Sequence, residues 1–122
     1  ILLSATGETV WLDSEDDMDA VTAVSGSGPA YVFAMIEALT AAGVAEGLQP
    51  DLAMRLARRT VTGAAHLLEQ SGQSAAALRQ QVTSPGGTTE AGLAALMNET
   101  GLEALMTRTI AAAARRAREL AD

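Results

Sequence analysis

The chain has 122 residues, 48% of them hydrophobic but only 2% aromatic, and its formal net charge is −7. It contains neither cysteine nor lysine, which excludes disulfides, thiolate metal ligands and Schiff-base chemistry. The negative charge argues against a nucleic-acid partner, and the single His66 cannot form a multi-histidine metal site.

Hydrophobic residues never run unbroken for the roughly 18 positions that a membrane span requires. The N-terminus also lacks the basic-then-apolar pattern of a signal peptide. We therefore expect a soluble, cytoplasmic protein with no membrane partner. The chain begins with isoleucine and not with methionine, and we expect it to be a piece of a longer protein.

The sequence of the first 13 residues is typical of the end of a separate, preceding domain. Residues 1–7, ILLSATG, predict the last turn of an apolar helix closed by Gly7. Residues 8–13, ETVWLD, contain β-favouring side chains in rough alternation and predict a strand. Because a single strand has no ladder partner, we expect residues 1–13 to be mobile or to pair with a neighbouring molecule.

Residues 14–45 predict helical structure. Ser14 is the expected N-cap of an acidic helix start, and Pro29 fits the first turn of a helix that extends to about Val44. This helix has apolar side chains on all sides, namely Val32, Phe33, Met35, Ile36, Leu39 and Val44. A helix with no polar stripe is buried all round, which in a chain this small requires a partner subunit.

Pro50 and Gly72 are predicted to bound the next helix, which is amphipathic and carries His66 on its exposed side. The arginine clusters at 55–59 and 115–118 are expected on solvent-facing helix surfaces. A short helix carrying Leu78 follows.

The last part of the chain also predicts helices joined by short turns. Apolar positions within 93–97 indicate one helix, and residues 98–101 interrupt it. Thr100 and Glu103 form a candidate capping box for a final helix over residues 101–121. The order of elements predicts an all-α fold.

The GSGPAY stretch invites a dinucleotide-binding interpretation, because Gly26 and Gly28 match the first two glycines of G-x-G-x-x-G. The third glycine position is Tyr31, and no convincing strand precedes the stretch. Since the fingerprint needs strand, glycines and helix together, we reject it and expect a tight connection between two packed helices.

A second motif is the polar loop within residues 82–96, VTSPGGTTEAGLAAL. Pro85 and two glycines permit a tight turn, and two threonines stand where the next helix exposes its unpaired N–H groups. Such a loop is either an anion site or an ordinary helix cap that connects two helices. The residues concerned are Ser84, Gly86, Gly87, Thr88 and Thr89.

Two stretches together, DAVTAVSGSGPAYVF and LRQQVTSPGGTTEAGLAAL, resemble pyrroline-5-carboxylate reductase. The resemblance covers nearly the whole chain. It implies an all-helical dimerisation domain of the 6-phosphogluconate dehydrogenase C-terminal-like type, in an intertwined homodimer with possible further assembly. Residues 14–122 would form this domain, and residues 1–13 would be the end of a missing N-terminal dinucleotide-binding domain.

The resemblance also implies roles for the loop. Ser84, Gly86, Gly87, Thr88 and Thr89 would bind pyrroline-5-carboxylate, whose carboxylate would accept from the N–H groups of Gly87 and Thr88. Thr89 would be the catalytic residue, with its hydroxyl on the ring nitrogen. NADPH or NADH would serve the full-length enzyme in making proline, whereas this chain alone would bind no cofactor or metal and would be inactive.

Two alternatives stay open. One is a self-standing helical module that self-associates and has no catalytic activity. The other is the helical domain of a related dehydrogenase, such as a 3-hydroxy acid enzyme, although those normally carry a catalytic lysine and this chain has none.

Overall fold

The computed structural model describes residues 2–3 and 10–122. Two short strands, β1 (Leu2–Leu3) and β2 (Val10–Trp11), precede a 3-10 turn at Glu15–Asp17. Helix α1 (Met18–Val21), a π-helical turn (Thr22–Gly26) and α2 (Gly28–Ala45) follow. The remaining helices are α3 (Pro50–Ser71), α4 (Ala75–Gln81), α5 (Thr88–Leu96) and α6 (Leu102–Ala121). The predicted all-α fold is confirmed.

The N-terminal strands correct one expectation. Leu2 and Leu3 pair antiparallel with Trp11 and Val10, so the helix predicted over these two leucines is wrong, and β2 does have a ladder partner. Two adjacent leucines favour helix or strand according to what lies beside them, and here β2 supplies backbone hydrogen-bonding groups. The predicted cap at Gly7 lies outside the described residues. The assignment of residues 1–13 to another domain stays a prediction.

The segment around the GSGPAY motif is helical on both sides of a short connection. A π-helical turn, Thr22–Gly26, ends at Ser27, a single bend residue, and α2 begins at Gly28. The Ser27 N–H donates to the Thr22 carbonyl at 2.9 Å, an i to i−5 bond typical of a π-helical turn. Pro29 occupies the first turn of α2, as predicted.

Helix α3 begins and ends where the sequence predicts. Pro50 is its first residue, where a missing N–H costs nothing. Gly72 closes it in the left-handed conformation, with φ of 66°. His66 is exposed, as expected for the polar side of this helix.

Helix α6 begins one residue later than predicted, and its capping box does not form. Gly101 is the N-cap and makes no side-chain cap bond. Both the N–H and the hydroxyl of Thr100 instead donate to Oδ1 of Asn98, at 3.0 and 3.2 Å. Thr100 therefore belongs to the asparagine turn and stands one residue before the N-cap of α6.

The described residues form two compact units, Ile1–Tyr31 with Met97–Asp122 and, separately, Val32–Leu96. In the first unit α1 and the π-helical turn pack against α6, and Ala23 is fully buried. In the second unit Ala53 and Ala57 of α3 are buried. Gly43 of α2 lies close to α3: a Cβ added there would be 3.3 Å from Cβ of Ala53.

No large side chain is fully buried in the described part of the chain. The buried hydrophobic residues are Ala23, Ala53, Ala57 and Ala114. Leucine, methionine, valine and phenylalanine side chains stay partly or largely exposed on α2, α3 and α6. The residues buried within each unit are therefore small ones.

The segment Met18–Ala45 is long and apolar enough to cross a membrane, judged by length and composition alone, with a mean hydropathy of 1.4 and none of its most apolar window buried. The expectation that no segment reaches this length is therefore wrong. The apolar runs in this segment are short, but the residues that interrupt them are mostly small and only weakly polar, so its mean hydropathy stays high. Core helices of soluble proteins pass the same test.

We predict that Gly43→Val destabilises the domain. Its side chain would meet Cβ of Ala53 and Cδ1 of Leu48, each already 3.3 Å from an added Cβ. Overpacking of this kind typically costs about 1–3 kcal/mol. Thermal unfolding should show a clearly lower midpoint for Gly43→Val than for the control Ala45→Val, at an exposed position of the same helix. Equal midpoints would contradict close packing at Gly43.

Candidate functional site

The polar loop within residues 82–96 begins at the end of α4. Ser74 caps the start of α4 by accepting from the Ala77 N–H at 3.1 Å. At the other end, Val82 is the C-cap, and the Thr83 hydroxyl donates to the Arg79 carbonyl at 2.6 Å. These bonds fix the point from which the loop leaves the helix.

A β-turn spans residues 84–87. Pro85 sets the second position, and Gly86 occupies the third with φ of 73°. The Gly87 N–H closes the turn on the Ser84 carbonyl at 3.0 Å. Proline followed by a glycine of positive φ is the signature of a type II turn. The sequence Ser-Pro-Gly-Gly thus favours this turn.

At position 87, glycine is required by limited space and not by its backbone angles. Its φ is ordinary, but an added Cβ would lie 3.2 Å from the Ser84 carbonyl oxygen. That oxygen is backbone and is held by the turn, so it cannot move away easily. A side chain at position 87 would therefore distort the turn.

Helix α5 starts directly after the turn. Its first intrahelical bond runs from the Ala91 N–H to the Gly87 carbonyl at 3.3 Å. The N–H groups of Thr88, Thr89 and Glu90 precede that bond, so they form the positive end of the helix dipole. Both threonines are exposed.

One loop N–H already has a carboxylate partner. The Gly86 N–H donates to Oε2 of Glu90 at 3.2 Å, which ties the turn to the first turn of α5. Sequence reasoning did not single out Glu90. The available signal was an acid in the first turn of a helix, four residues after the turn glycine.

The five predicted site residues lie in the turn and in the helix start that follows it, within positions 84–89. The Gly87 N–H donates to the Ser84 carbonyl in this structure, and its predicted bond to a substrate carboxylate stays a prediction. The N–H groups of Thr88 and Thr89 are the ones placed at the helix start. The arrangement can hold a carboxylate or phosphate by backbone donors, with hydroxyl groups beside them.

We also searched the described ranges, 2–3 and 10–122, for a metal site and for a dinucleotide-binding turn. No group of three or more histidine, cysteine, aspartate or glutamate residues could hold a metal ion there. Gly26 and Gly28 lie within helical segments and not in a strand-to-helix turn, so they do not form the dinucleotide-binding fingerprint. Both arginine clusters are exposed, as predicted, and Arg116 pairs with Glu119 at 3.1 Å.

The second unit also contains an open groove of about 690 Å³ between α2 and α3. Its apolar lining includes Phe33, Ile36 and Met54, with Glu37 and Arg58 among the polar residues. The groove is wide and mainly apolar, which is typical of a surface that receives another helix.

Comparison with known proteins identifies the family. Residues 15–120 match the family model described as pyrroline-5-carboxylate reductase dimerisation. The chain is 49% identical over 121 residues to pyrroline-5-carboxylate reductase of Pseudomonas aeruginosa, covering 99% of this chain and 44% of that protein. It is 46% identical to the Arabidopsis thaliana enzyme of the same name, covering 100% and 44%.

Solved structures agree with the sequence relatives. The pyrroline-5-carboxylate reductase of Coxiella burnetii superposes with a TM-score of 0.85 at 44% identity, over 91% of this chain and 41% of that one. The Plasmodium falciparum pyrroline carboxylate reductase, solved with NADP bound, gives 0.82 at 35% identity, over 89% and 44%. The chain spans less than half the length of these relatives. It belongs to the pyrroline-5-carboxylate reductase dimerisation family.

Proposed function

We propose that this chain is the dimerisation and substrate-binding part of an NADPH-dependent reductase that converts 1-pyrroline-5-carboxylate to L-proline. The observation that carries the proposal is the Ser-Pro-Gly-Gly-Thr-Thr turn at the start of α5, in a chain of this family. An anion-binding turn suits a substrate whose permanent charge is a carboxylate. A cytoplasmic location is part of the proposal.

In this proposal the substrate carboxylate lies at the start of α5. The N–H groups of Thr88 and Thr89 point out of the first turn, and the helix dipole favours a negative charge there. The Ser84 hydroxyl completes the carboxylate site. The fixed turn at Gly86 and Gly87 holds these donors ready, so that little ordering is needed on binding.

The Thr89 hydroxyl is assigned to the ring nitrogen. The nitrogen needs a polar partner as the C=N bond is reduced, and a hydroxyl can supply one without lysine, cysteine or metal. Orientation and electrostatic stabilisation of this kind contribute much of the rate in many enzymes.

The hydride donor is assigned to the part of the longer enzyme that lies outside this chain. Gly26 and Gly28 do not form the dinucleotide-binding fingerprint, and the relatives are more than twice as long as the segment they share with this chain. NADPH is the proposed donor, and the relative from Plasmodium falciparum was solved with NADP.

Self-association follows from membership of a dimerisation family. We further propose that the dimer is intertwined, with the apolar sides of α2 and α3 covered by the second copy. Phe33, Met35 and Leu39 of α2 are exposed in the single chain. Their burial would supply the large apolar core that the chain lacks by itself.

The substrate assignment predicts the effect of Thr89→Val in the full-length reductase. The change keeps the shape of the side chain but removes the hydroxyl from the ring nitrogen. Loss of a hydrogen bond to a charged group costs about 1.5–3 kcal/mol, so kcat/KM should fall roughly tenfold to hundredfold. Steady-state oxidation of NADPH with pyrroline-5-carboxylate measures this.

Thr107→Val is the matched control. Thr107 is exposed on α6, and its hydroxyl donates to the Glu103 carbonyl of the same helix at 2.8 Å. Its replacement should leave kcat/KM near the wild-type value. If both variants lose activity to the same small extent, the loop is a connector and the substrate assignment is wrong.

A further inference from the structure

Glu90 is the side chain of the loop that the proposed chemistry does not use. It lies in the first turn of α5, and its Oε2 accepts from the Gly86 N–H at 3.2 Å. Gly86 is the residue of the turn with positive φ, and glycine has more backbone freedom to lose than any other residue. The bond from its N–H to the carboxylate therefore restrains the turn at the residue with the greatest freedom.

Two hydrogen bonds within the loop determine which backbone N–H groups remain for a ligand. The Gly86 N–H is used by Glu90, and the Gly87 N–H is used by the Ser84 carbonyl at 3.0 Å. The next N–H groups along the chain belong to Thr88 and Thr89 and precede the first helical bond. Glu90 and the turn thus keep two neighbouring donors occupied and direct an incoming carboxylate to the start of the helix.

We propose that Glu90 is a positioning residue for the substrate: its carboxylate fixes the Gly86 turn and thereby sets which N–H groups receive the substrate carboxylate. This inference rests on the proposed function. The bond to Gly86 requires an acceptor oxygen and not a charge, so Glu90→Gln should keep the turn fixed, whereas Glu90→Ala should release it.

The bond itself can be measured without any catalytic assay. Amide hydrogen exchange at residues 84–89 of the 122-residue chain should be faster in Glu90→Ala than in the wild type, and close to the wild type in Glu90→Gln. Glu103→Ala is the control, because Glu103 occupies the first turn of α6 and its loss removes a similar dipole interaction. That control should leave exchange in the loop unchanged.

The catalytic consequence is measured in the full-length reductase. Loss of a hydrogen bond at an exposed site should raise KM for pyrroline-5-carboxylate roughly two- to tenfold in Glu90→Ala. The values of kcat and of KM for NADPH should change little, because bound substrate restores the turn. Glu90→Gln should restore the wild-type KM, which a general loss of stability would not do.

The outcomes separate this inference from the proposed function. Unchanged exchange in Glu90→Ala overturns it, whatever the loop binds. Faster exchange with unchanged KM, while Thr89→Val impairs catalysis, also overturns it and leaves the substrate site in place. If neither Glu90→Ala nor Thr89→Val affects catalysis, the proposed function fails and the role of Glu90 fails with it.

Discussion

Phe33→Asp is expected to abolish both dimer formation and stable folding of this chain. Phe33 is 63% exposed in the single chain and lines the groove between α2 and α3. If the chain were stable as a monomer, a charge at so exposed a position would change its stability by no more than about 0.5 kcal/mol. If a second copy covers Phe33, the same charge is buried without a partner and costs several kcal/mol.

The absence of any fully buried large side chain makes the predicted effect severe. The described residues bury alanines, whose contribution to a core is small, and most apolar area of α2 and α3 is available only for association. A small domain with a stability of about 5–15 kcal/mol does not tolerate the loss of most of its core. Folding and association should therefore disappear together.

Sedimentation and circular dichroism at micromolar concentration test this prediction. Trp11→Asp is the control, because Trp11 is 75% exposed and lies outside the residues that match the dimerisation family. It should leave the dimer intact. A folded wild-type monomer, or a Phe33→Asp dimer as stable as the wild type, would contradict the prediction.

Catalysis by this chain alone is expected to be absent and to appear only when a dinucleotide-binding domain is added. The chain presents a candidate carboxylate site at 84–89 but no strand-to-helix glycine turn for a dinucleotide in its described part. Hydride transfer needs the donor and acceptor atoms about 3–3.5 Å apart, which requires both binding sites in one assembly. We therefore expect no turnover by the chain alone and measurable turnover once the dinucleotide-binding domain is added.

The measurement is oxidation of NADPH in the presence of pyrroline-5-carboxylate. It compares the chain alone, a separately produced N-terminal domain of a reductase relative, and the two mixed. Only the mixture, or the covalently joined protein, should turn over substrate, and Thr89→Val in the chain should reduce that activity. Turnover by the chain alone would show that the proposed division of roles between the two parts is wrong.

The sequence by itself predicted the structure correctly wherever a single residue determines the backbone conformation. Pro50 and Gly72 bound α3 as predicted, because proline suits the first helical position and glycine suits the left-handed cap. Pro85 and Gly86 specify the turn for the same reason. The apolar pattern of residues 29–44 also predicted a helix that cannot be covered within the chain, and α2 has no buried residue.

The tertiary structure decided which groups meet. Leu2–Leu3 form a strand because β2 lies beside them, and Thr100 donates to Asn98 while Gly101 takes the N-cap position of α6. The Gly87 N–H is taken by the Ser84 carbonyl and the Gly86 N–H by Glu90. Residue type sets the φ and ψ values that a position can adopt, but a hydrogen bond depends on which of several acceptors comes within about 3 Å, and only the folded chain determines that.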